Sequence, residues 1–192
     1  MTKQLTLIAG LGNPEERYAR TLHNAGFWFV DELALRFGGE FKYEKRFDAE
    51  TCKIDIAGQE IWLAKPQSYM NLSGGPVRGL LDYYRLTADT LLVVHDEIDL
   101  PPGTVRLKAG GGHGGHNGLR DVIRHCGPDF MRLRLGVGHP GHKDQVTSYV
   151  LKKASGDVEA LINKNIDDAA DVIPLLAGEG LNAAMKKLHT QD

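Results

Sequence analysis

The segment TLLVVHD at residues 90–96 constrains the fold more than any other stretch of the chain. Its four consecutive apolar residues, LLVV, leave it without a polar face. Such a strand is typical of a sheet that is covered on both of its faces. The segment therefore predicts a layered fold in which helices pack against both sides of a sheet.

Predicted helices and strands alternate along the rest of the sequence. Period-two and short apolar patterns predict strands at 5–10, 49–56, 60–64, 104–108 and 131–138. Helical spacing predicts helices at 25–37, 72–84, 116–126, 155–176 and 180–188. We predict one α/β domain over residues 1–192, with three α/β/α layers and a mixed, largely parallel twisted sheet.

Three residues mark predicted helix boundaries. Ser73 and Ser155 each precede a helical pattern and are predicted N-caps. Pro174 lies inside the long C-terminal pattern and is expected to bend or end that helix.

Composition narrows the class of protein. The chain has 192 residues, enough to bury about 70% of its unfolded surface, and a net charge of −2. Cys52 and Cys126 are too few for a disulfide framework, which favours a reducing cytosol. The N-terminal segment resembles a first strand more than a signal peptide, and no apolar run approaches the ~18 residues of a membrane span.

Charge is distributed unevenly along the sequence. Residues 103–143 contain seven Lys and Arg against two Asp, together with five of the eight histidines. A local basic segment on a nearly neutral protein is what a phosphate-binding face would look like. The alternative is that these side chains are scattered over several faces.

A glycine-rich stretch, GGGHGGHNGLRD at 110–121, allows three interpretations. It could bind a metal through His113 and His116, bind phosphate through its amides, or be a mobile loop. His139 and His142 repeat the His-x-x-His spacing, but neither pair lies on a predicted helix face and no further ligand motif completes a site.

A second glycine motif, GLGNP at 10–14, lacks the third glycine of a dinucleotide fingerprint.

Two ionisable residues are candidates for general-base chemistry. His23 precedes the first helix, and Asp96 ends the central strand. A carboxylate that accepts a hydrogen bond from one imidazole nitrogen makes the other nitrogen a base for water. Taken singly, such a histidine is more often structural than catalytic and such an aspartate more often caps a loop, and the nearby Glu97 and Asp99 compete for the assignment.

Five motifs together resemble bacterial-type peptidyl-tRNA hydrolases. They occur in the family's order and are GLGNPEERYARTLHNAG, KPQSYMNLSG, VVHDEIDLPPG, GGGHGGHNGLRD and RLRLGVGHPG. The chain departs from the usual pattern at Glu15, Leu22 and Tyr69, none of which is a catalytic position.

The resemblance implies a monomeric cytoplasmic esterase without metal or cofactor, which hydrolyses the ester between a peptide and the 3′-terminal ribose of tRNA. Matched position by position, it makes His23 the base and Asp96 its partner. The remaining matched positions are Asn13 at the ester, Tyr18, Met70, Asn71 and Asn117 around the peptide, and Lys108, Arg134 and Arg120 on tRNA phosphate.

Two other functions remain open at this point. One is a non-catalytic RNA-binding relative with the same fold, against which the intact Asn13, His23 and Asp96 argue. The other is a metal-dependent hydrolase that uses the two His-x-x-His pairs.

Overall fold

A seven-stranded sheet forms the middle layer of the computed structural model, which describes residues 4–190. The predicted domain 1–192 also includes residues 1–3 and 191–192, which lie outside the described residues. The strands are β1 (Leu7–Gly10), β2 (Lys42–Glu44), β3 (Ala49–Ile56), β4 (Gln59–Pro66), β5 (Leu91–Glu97), β6 (Val105–Ala109) and β7 (Met131–Gly136). Their order across the sheet is β2-β3-β4-β1-β5-β7-β6.

The sheet is parallel at its centre and antiparallel at both edges. Strand β1 pairs in parallel with β4 and β5, and β5 pairs in parallel with β7. The outer pairs β2-β3, β3-β4 and β6-β7 are antiparallel. This arrangement confirms the predicted mixed sheet, and the predicted apolar strand at 90–96 lies in the parallel centre.

Helices cover both faces of the sheet. They are α1 (Ala25–Phe37), α2 (Gly74–Tyr83), α3 (Asn117–Cys126), α4 (Val146–Val150), α5 (Gly156–Glu179) and α6 (Leu181–His189). One core contains side chains of α1, α5 and α6, and the other contains side chains of α2 and α3. The predicted three-layer α/β fold is therefore confirmed. None of the helices within residues 4–190 combines the length and the apolar character that crossing a bilayer requires.

Two short elements were not predicted. Strand β2 consists of three exposed residues, so its sequence carries no apolar alternation, and it exists because β3 supplies hydrogen-bond partners. Helix α4 has only five residues, of which only Val150 is buried.

The structure confirms one of the two predicted N-caps and contradicts the other. The Ser155 hydroxyl accepts a hydrogen bond from the Val158 amide, which confirms that N-cap. The Ser73 N-cap is wrong, because its hydroxyl donates to the Met70 carbonyl while the Asp121 carboxylate accepts from the Gly74 amide. Pro174 lies within α5 and does not end it.

Glycines at 10 and 26 allow the start of α1 to pack directly on the strand ends. A Cβ on Gly26 would lie 2.4 Å from the Val94 carbonyl oxygen of β5, and one on Gly10 would lie 2.2 Å from the Gly26 carbonyl oxygen. Real Cβ atoms do not approach backbone so closely. The turn that precedes α1 is consequently held at the carboxyl ends of β1 and β5, where open α/β sheets place their ligands.

Candidate active site

His23 and Asp96 meet at this edge of the sheet. Asp96 lies near the end of β5 with 3% of its surface exposed, and His23 lies in the 3₁₀ turn Leu22–Asn24 before α1. The His23 Nδ1 atom is 3.0 Å from Oδ1 and 2.9 Å from Oδ2 of Asp96. An ionised carboxylate only accepts, so Nδ1–H is the donor and Nε2 keeps its lone pair. The predicted proximity of the two residues is confirmed.

The two groups shift one another's titration. Burial alone would lower the pKa of His23, but the charge of Asp96 and the hydrogen bond outweigh it, and the pKa lies above its ordinary 6.5. Burial would raise the pKa of Asp96, but His23 and His116 together hold that pKa well below its ordinary range. Asp96 is therefore a carboxylate at neutral pH, buried but stabilised by two imidazoles.

His116 is the second imidazole, and its role was not assigned from the sequence. Its Nε2 lies 2.9 Å from Asp96 Oδ1, while its Nδ1 accepts hydrogen bonds from the amides of Gly118 and Leu119. Because Nδ1 is an acceptor, the proton is on Nε2, and His116 donates to Asp96 while capping α3. The sequence analysis placed His116 at the start of the predicted helix 116–126, and no local pattern indicates its contact with Asp96, 20 residues away.

His95 contacts the backbone of Asp96. Its Nδ1 lies 2.8 Å from the Asp96 carbonyl oxygen, to which it donates. The ring is buried, and desolvation lowers the pKa of His95 to about 3, so it is neutral. The carbonyl and the carboxylate of Asp96 are thus both fixed by histidines.

Asn13 is oriented by a network of backbone hydrogen bonds. The Asn24 side chain accepts from the Asn13 amide at 2.8 Å and donates to the Asn13 carbonyl at 3.0 Å. The Met70 amide donates to Asn13 Oδ1 at 2.8 Å. Since the side-chain oxygen is occupied as an acceptor, the group that Asn13 offers to a ligand is its NH2 donor. Asn24, like His116, was not predicted as part of the site.

A cavity of about 870 Å³ opens above these residues. Six of the predicted site residues line it, namely Asn13, His23, Met70, Asn71, Asp96 and Asn117. The competing acids Glu97 and Asp99 also line it, but Asp96 is the carboxylate that contacts His23. The lining also includes apolar residues of α4.

Tyr18 lies elsewhere than predicted. The centre of its ring lies 4.6 Å from the Arg17 guanidinium carbon. Tyr18 is not among the described residues that line the cavity. Tyr69 lines the cavity instead, and its hydroxyl donates to the Glu15 carboxylate at 2.8 Å. The aromatic ring in the wall therefore comes from the segment before Met70 and not from the segment after Asn13.

The predicted basic residues lie on two elements. Lys108 pairs with Arg132, and Arg106 with Arg134, in the β6-β7 ladder. Because strand residues alternate and Leu107 and Leu133 enter one core, these four cations share the opposite face of the hairpin. Arg134 is 3.8 Å from Glu97, and the exposed Arg120 on α3 donates to the Asn117 side-chain oxygen at 3.2 Å. Much of the basic segment is thus assembled into one face.

The His-x-x-His pairs are engaged with backbone amides. The Nδ1 atoms of His113, His139 and His142 accept from the amides of Gly115, Gly141 and Asp144, at 2.9, 2.9 and 3.1 Å. Among residues 4–190, the group spaced to share a metal ion is instead His23, Asp96 and His116, whose ligand atoms lie within 4.8 Å of one another. The Asp96 carboxylate at the centre of this group accepts a hydrogen bond from each of the two imidazoles.

Comparison with known proteins places the chain in a family. A family model described as peptidyl-tRNA hydrolase matches residues 7–192. The chain is 56% identical over 185 residues to the peptidyl-tRNA hydrolase of Halorhodospira halophila, with 95% of each chain covered. It is 51% identical over 187 residues to that of Stenotrophomonas maltophilia, with 97% of each covered.

Solved structures agree with this relationship. A crystal structure of peptidyl-tRNA hydrolase from Acinetobacter baumannii superposes with a TM-score of 0.95 at 44% identity, over 98% of this chain and 96% of that one. Sequence and fold thus match over almost the whole length. The chain belongs to the peptidyl-tRNA hydrolase family.

Proposed function

We propose that this protein hydrolyses the ester between the peptide and the 3′-terminal ribose of peptidyl-tRNA, with His23 as the general base. The observation that carries the proposal is the double contact of His23 Nδ1 with the Asp96 carboxylate, which leaves Nε2 as a base in the wall of the cavity. An ester is an activated acyl group, so a positioned water and one base suffice without a covalent intermediate.

Water and the side chains of His23, Asn13 and Asp96 suffice for every proton transfer in the proposed reaction. His23 Nε2 takes a proton from water as the oxygen attacks the acyl carbon. The NH2 of Asn13 stabilises the oxyanion of the tetrahedral intermediate, a contact that strengthens as charge develops. When the intermediate collapses, the ribose 3′-oxygen leaves and takes the proton from the imidazolium. Asp96 stays ionised throughout and stabilises the imidazolium.

The peptide is bound by side-chain amides in this proposal. Asn71 and Asn117 line the cavity, and the oxygen of Asn117 is already occupied by Arg120, which leaves its NH2 for a peptide carbonyl. Main-chain groups vary little among peptides, so such contacts recognise a peptide without reading its sequence. Met70 supplies an apolar contact beside them.

The tRNA is bound by the basic face of β6 and β7. Lys108 and Arg134 would contact phosphate there, and Arg120 lies on the neighbouring α3. On a protein with a net charge of −2, such binding is local and weakens with salt. Weak binding suits an enzyme that must release its tRNA.

The experiment that tests this function compares N-acetylated with free aminoacyl-tRNA under single turnover. The acetylated substrate presents an amide to Asn71 and Asn117, whereas the free one presents a charged amine that fits those groups worse. Preferential hydrolysis of the acetylated substrate is expected. Equal rates, or binding of both without hydrolysis, would contradict the proposal, and the second result would favour a non-catalytic RNA-binding role.

We further propose that the chain acts as one domain, as a monomer, in the cytosol. A single family model spans residues 7–192, and Cys52 and Cys126 are both free thiols, as a reducing compartment favours. Light scattering after size exclusion tests the monomer, and a mass of twice 21.1 kDa would contradict it.

A further inference from the structure

Among the described residues, Arg132 has the largest fully buried side chain. It lies in β7 and is 2% exposed, and its guanidinium carbon is 4.5 Å from the centre of the Phe130 ring. Within residues 4–190 no ion pair joins it to a carboxylate, and its Nε has no hydrogen-bond partner. A buried cation without a carboxylate is costly, so its remaining contacts have to stabilise it.

Those contacts are backbone carbonyls of two segments, the start of the glycine-rich loop and the segment between α3 and β7. Nη1 donates to the Gly112 oxygen at 2.5 Å, and Nη2 donates to the oxygens of Gly111 and Pro128 at 2.6 and 3.2 Å. A planar guanidinium presents such donors in a fixed fork, which a lysine cannot reproduce. Arg132 thus fixes the start of the glycine-rich loop against the segment that leads into β7.

Further hydrogen bonds lie within the loop, between these carbonyls and the active site. Its His113 accepts from the Gly115 amide through Nδ1 and from the His116 amide through its carbonyl, each at 2.9 Å. A Cβ on Gly112, Gly114 or Gly115 would meet nothing within 4 Å, so packing contributes little to the position of the loop. Hydrogen bonds at its two ends, from Arg132 and to Asp96, hold it in place.

We propose that Arg132 is a positioning residue, which holds the loop so that His116 donates to Asp96 and the carboxylate stays between two imidazoles. Its effect on turnover rests on the proposed role of His23, but the positioning itself does not. If the loop is released, Asp96 loses the His116 donor and its full charge acts on His23. The imidazolium of His23 is then stabilised, so its pKa rises further.

The test is Arg132→Lys, which keeps the charge but loses the fork. Two readouts that need no turnover are the NMR titration of the His23 ring and hydrogen exchange of amides 111–119. We expect the pKa of His23 to rise by about half a unit or more, in line with the loss of one hydrogen bond to a charged group. Exchange in the loop should accelerate about tenfold or more while β5 is unchanged.

Four further variants make the test decisive. His116→Ala removes the donor itself and should raise the pKa of His23 similarly, and adding Arg132→Lys to it should cause no further rise. Arg124→Lys, an exposed change on α3, should leave the titration unchanged. If Arg132→Lys fails to fold, Gly111→Ala displaces the same carbonyl from the loop side, because the φ of +109° at this position strains any other residue.

The proposal is overturned if folded Arg132→Lys, or Gly111→Ala in its place, leaves both the His23 titration and the loop exchange at wild-type values. A further rise in the double variant beyond His116→Ala would also overturn it, since Arg132 would then act on His23 by another route. Neither result depends on whether His23 is the catalytic base.

Discussion

The Asp96 carboxylate accepts hydrogen bonds from two imidazoles at once, from His23 Nδ1 with both of its oxygens and from His116 Nε2 with one. This arrangement sets the tautomer of His23 and leaves its Nε2 unprotonated at the cavity. It also divides the charge of the carboxylate between two donors, which limits how strongly His23 holds a proton.

Replacing Asp96 by Asn should lower kcat by about 10³-fold, because an amide offers one acceptor and would place an NH2 against an imidazole N–H. One imidazole would lose its partner or take the wrong tautomer. Single-turnover hydrolysis of peptidyl-tRNA measures the effect. Asp82→Asn, on the exposed face of α2, is the matched control, and a similar rate for both variants would mean that Asp96 is only structural.

Replacing Asn13 by Asp should lower kcat by about 100-fold with little change in KM. The substitution keeps an oxygen for the Met70 amide, and so retains the local structure, but it removes the NH2 donor proposed for the oxyanion. Steady-state kinetics separates the two constants. A raised KM with normal kcat would place Asn13 in ground-state binding instead.

Replacing Lys108 by Ala should weaken tRNA binding and reduce the slope of log K against log salt by about 1. Hydrolysis of a minimal ester that lacks the tRNA body should change little. The control is Lys164→Ala on α5, where the lysine pairs with Asp168. Equal losses on both substrates would contradict a phosphate contact.

A strong chelator should leave hydrolysis of peptidyl-tRNA unchanged. His23, Asp96 and His116 are close enough to share a metal, but in the proposed mechanism both imidazoles donate hydrogen bonds to Asp96 and water is activated by His23 alone. Activity before and after dialysis against chelator, with and without added Zn²⁺, provides the measurement. Loss on dialysis and recovery with zinc would favour a metal-dependent hydrolase.

Local sequence patterns correctly predicted those helices and strands whose own residues show a regular apolar spacing. Helix α1 and strand β3 were predicted at the bounds that they have, because apolar spacing and a turn or stop signal coincide there. The places of His23 before a helix and of Asp96 at the end of a strand made their pairing a hypothesis, and the family resemblance assigned the two roles.

The unpredicted features depend on contacts between distant segments. Strand β2 exists through its partner strand, and the Ser73 hydroxyl donates to Met70 while Asp121, 47 residues from Gly74, takes the place of the cap. The contact of His116 with Asp96 spans 20 residues and requires the loop conformation that Arg132 stabilises. None of these contacts leaves a periodic pattern in the sequence.

The role of His23 is tested most directly by comparing two pKa values obtained on the same protein, one from the acid limb of kcat/KM and one from the NMR titration of the His23 ring. Since Asp96 raises the pKa of His23 above 6.5, activity should fall as the pH drops through that higher value. We predict that the two values coincide and that His23→Ala lowers kcat by at least ~100-fold with tRNA affinity retained. A kinetic pKa that differs from that of the His23 ring, or near-normal turnover in His23→Ala, would contradict general-base catalysis by this residue.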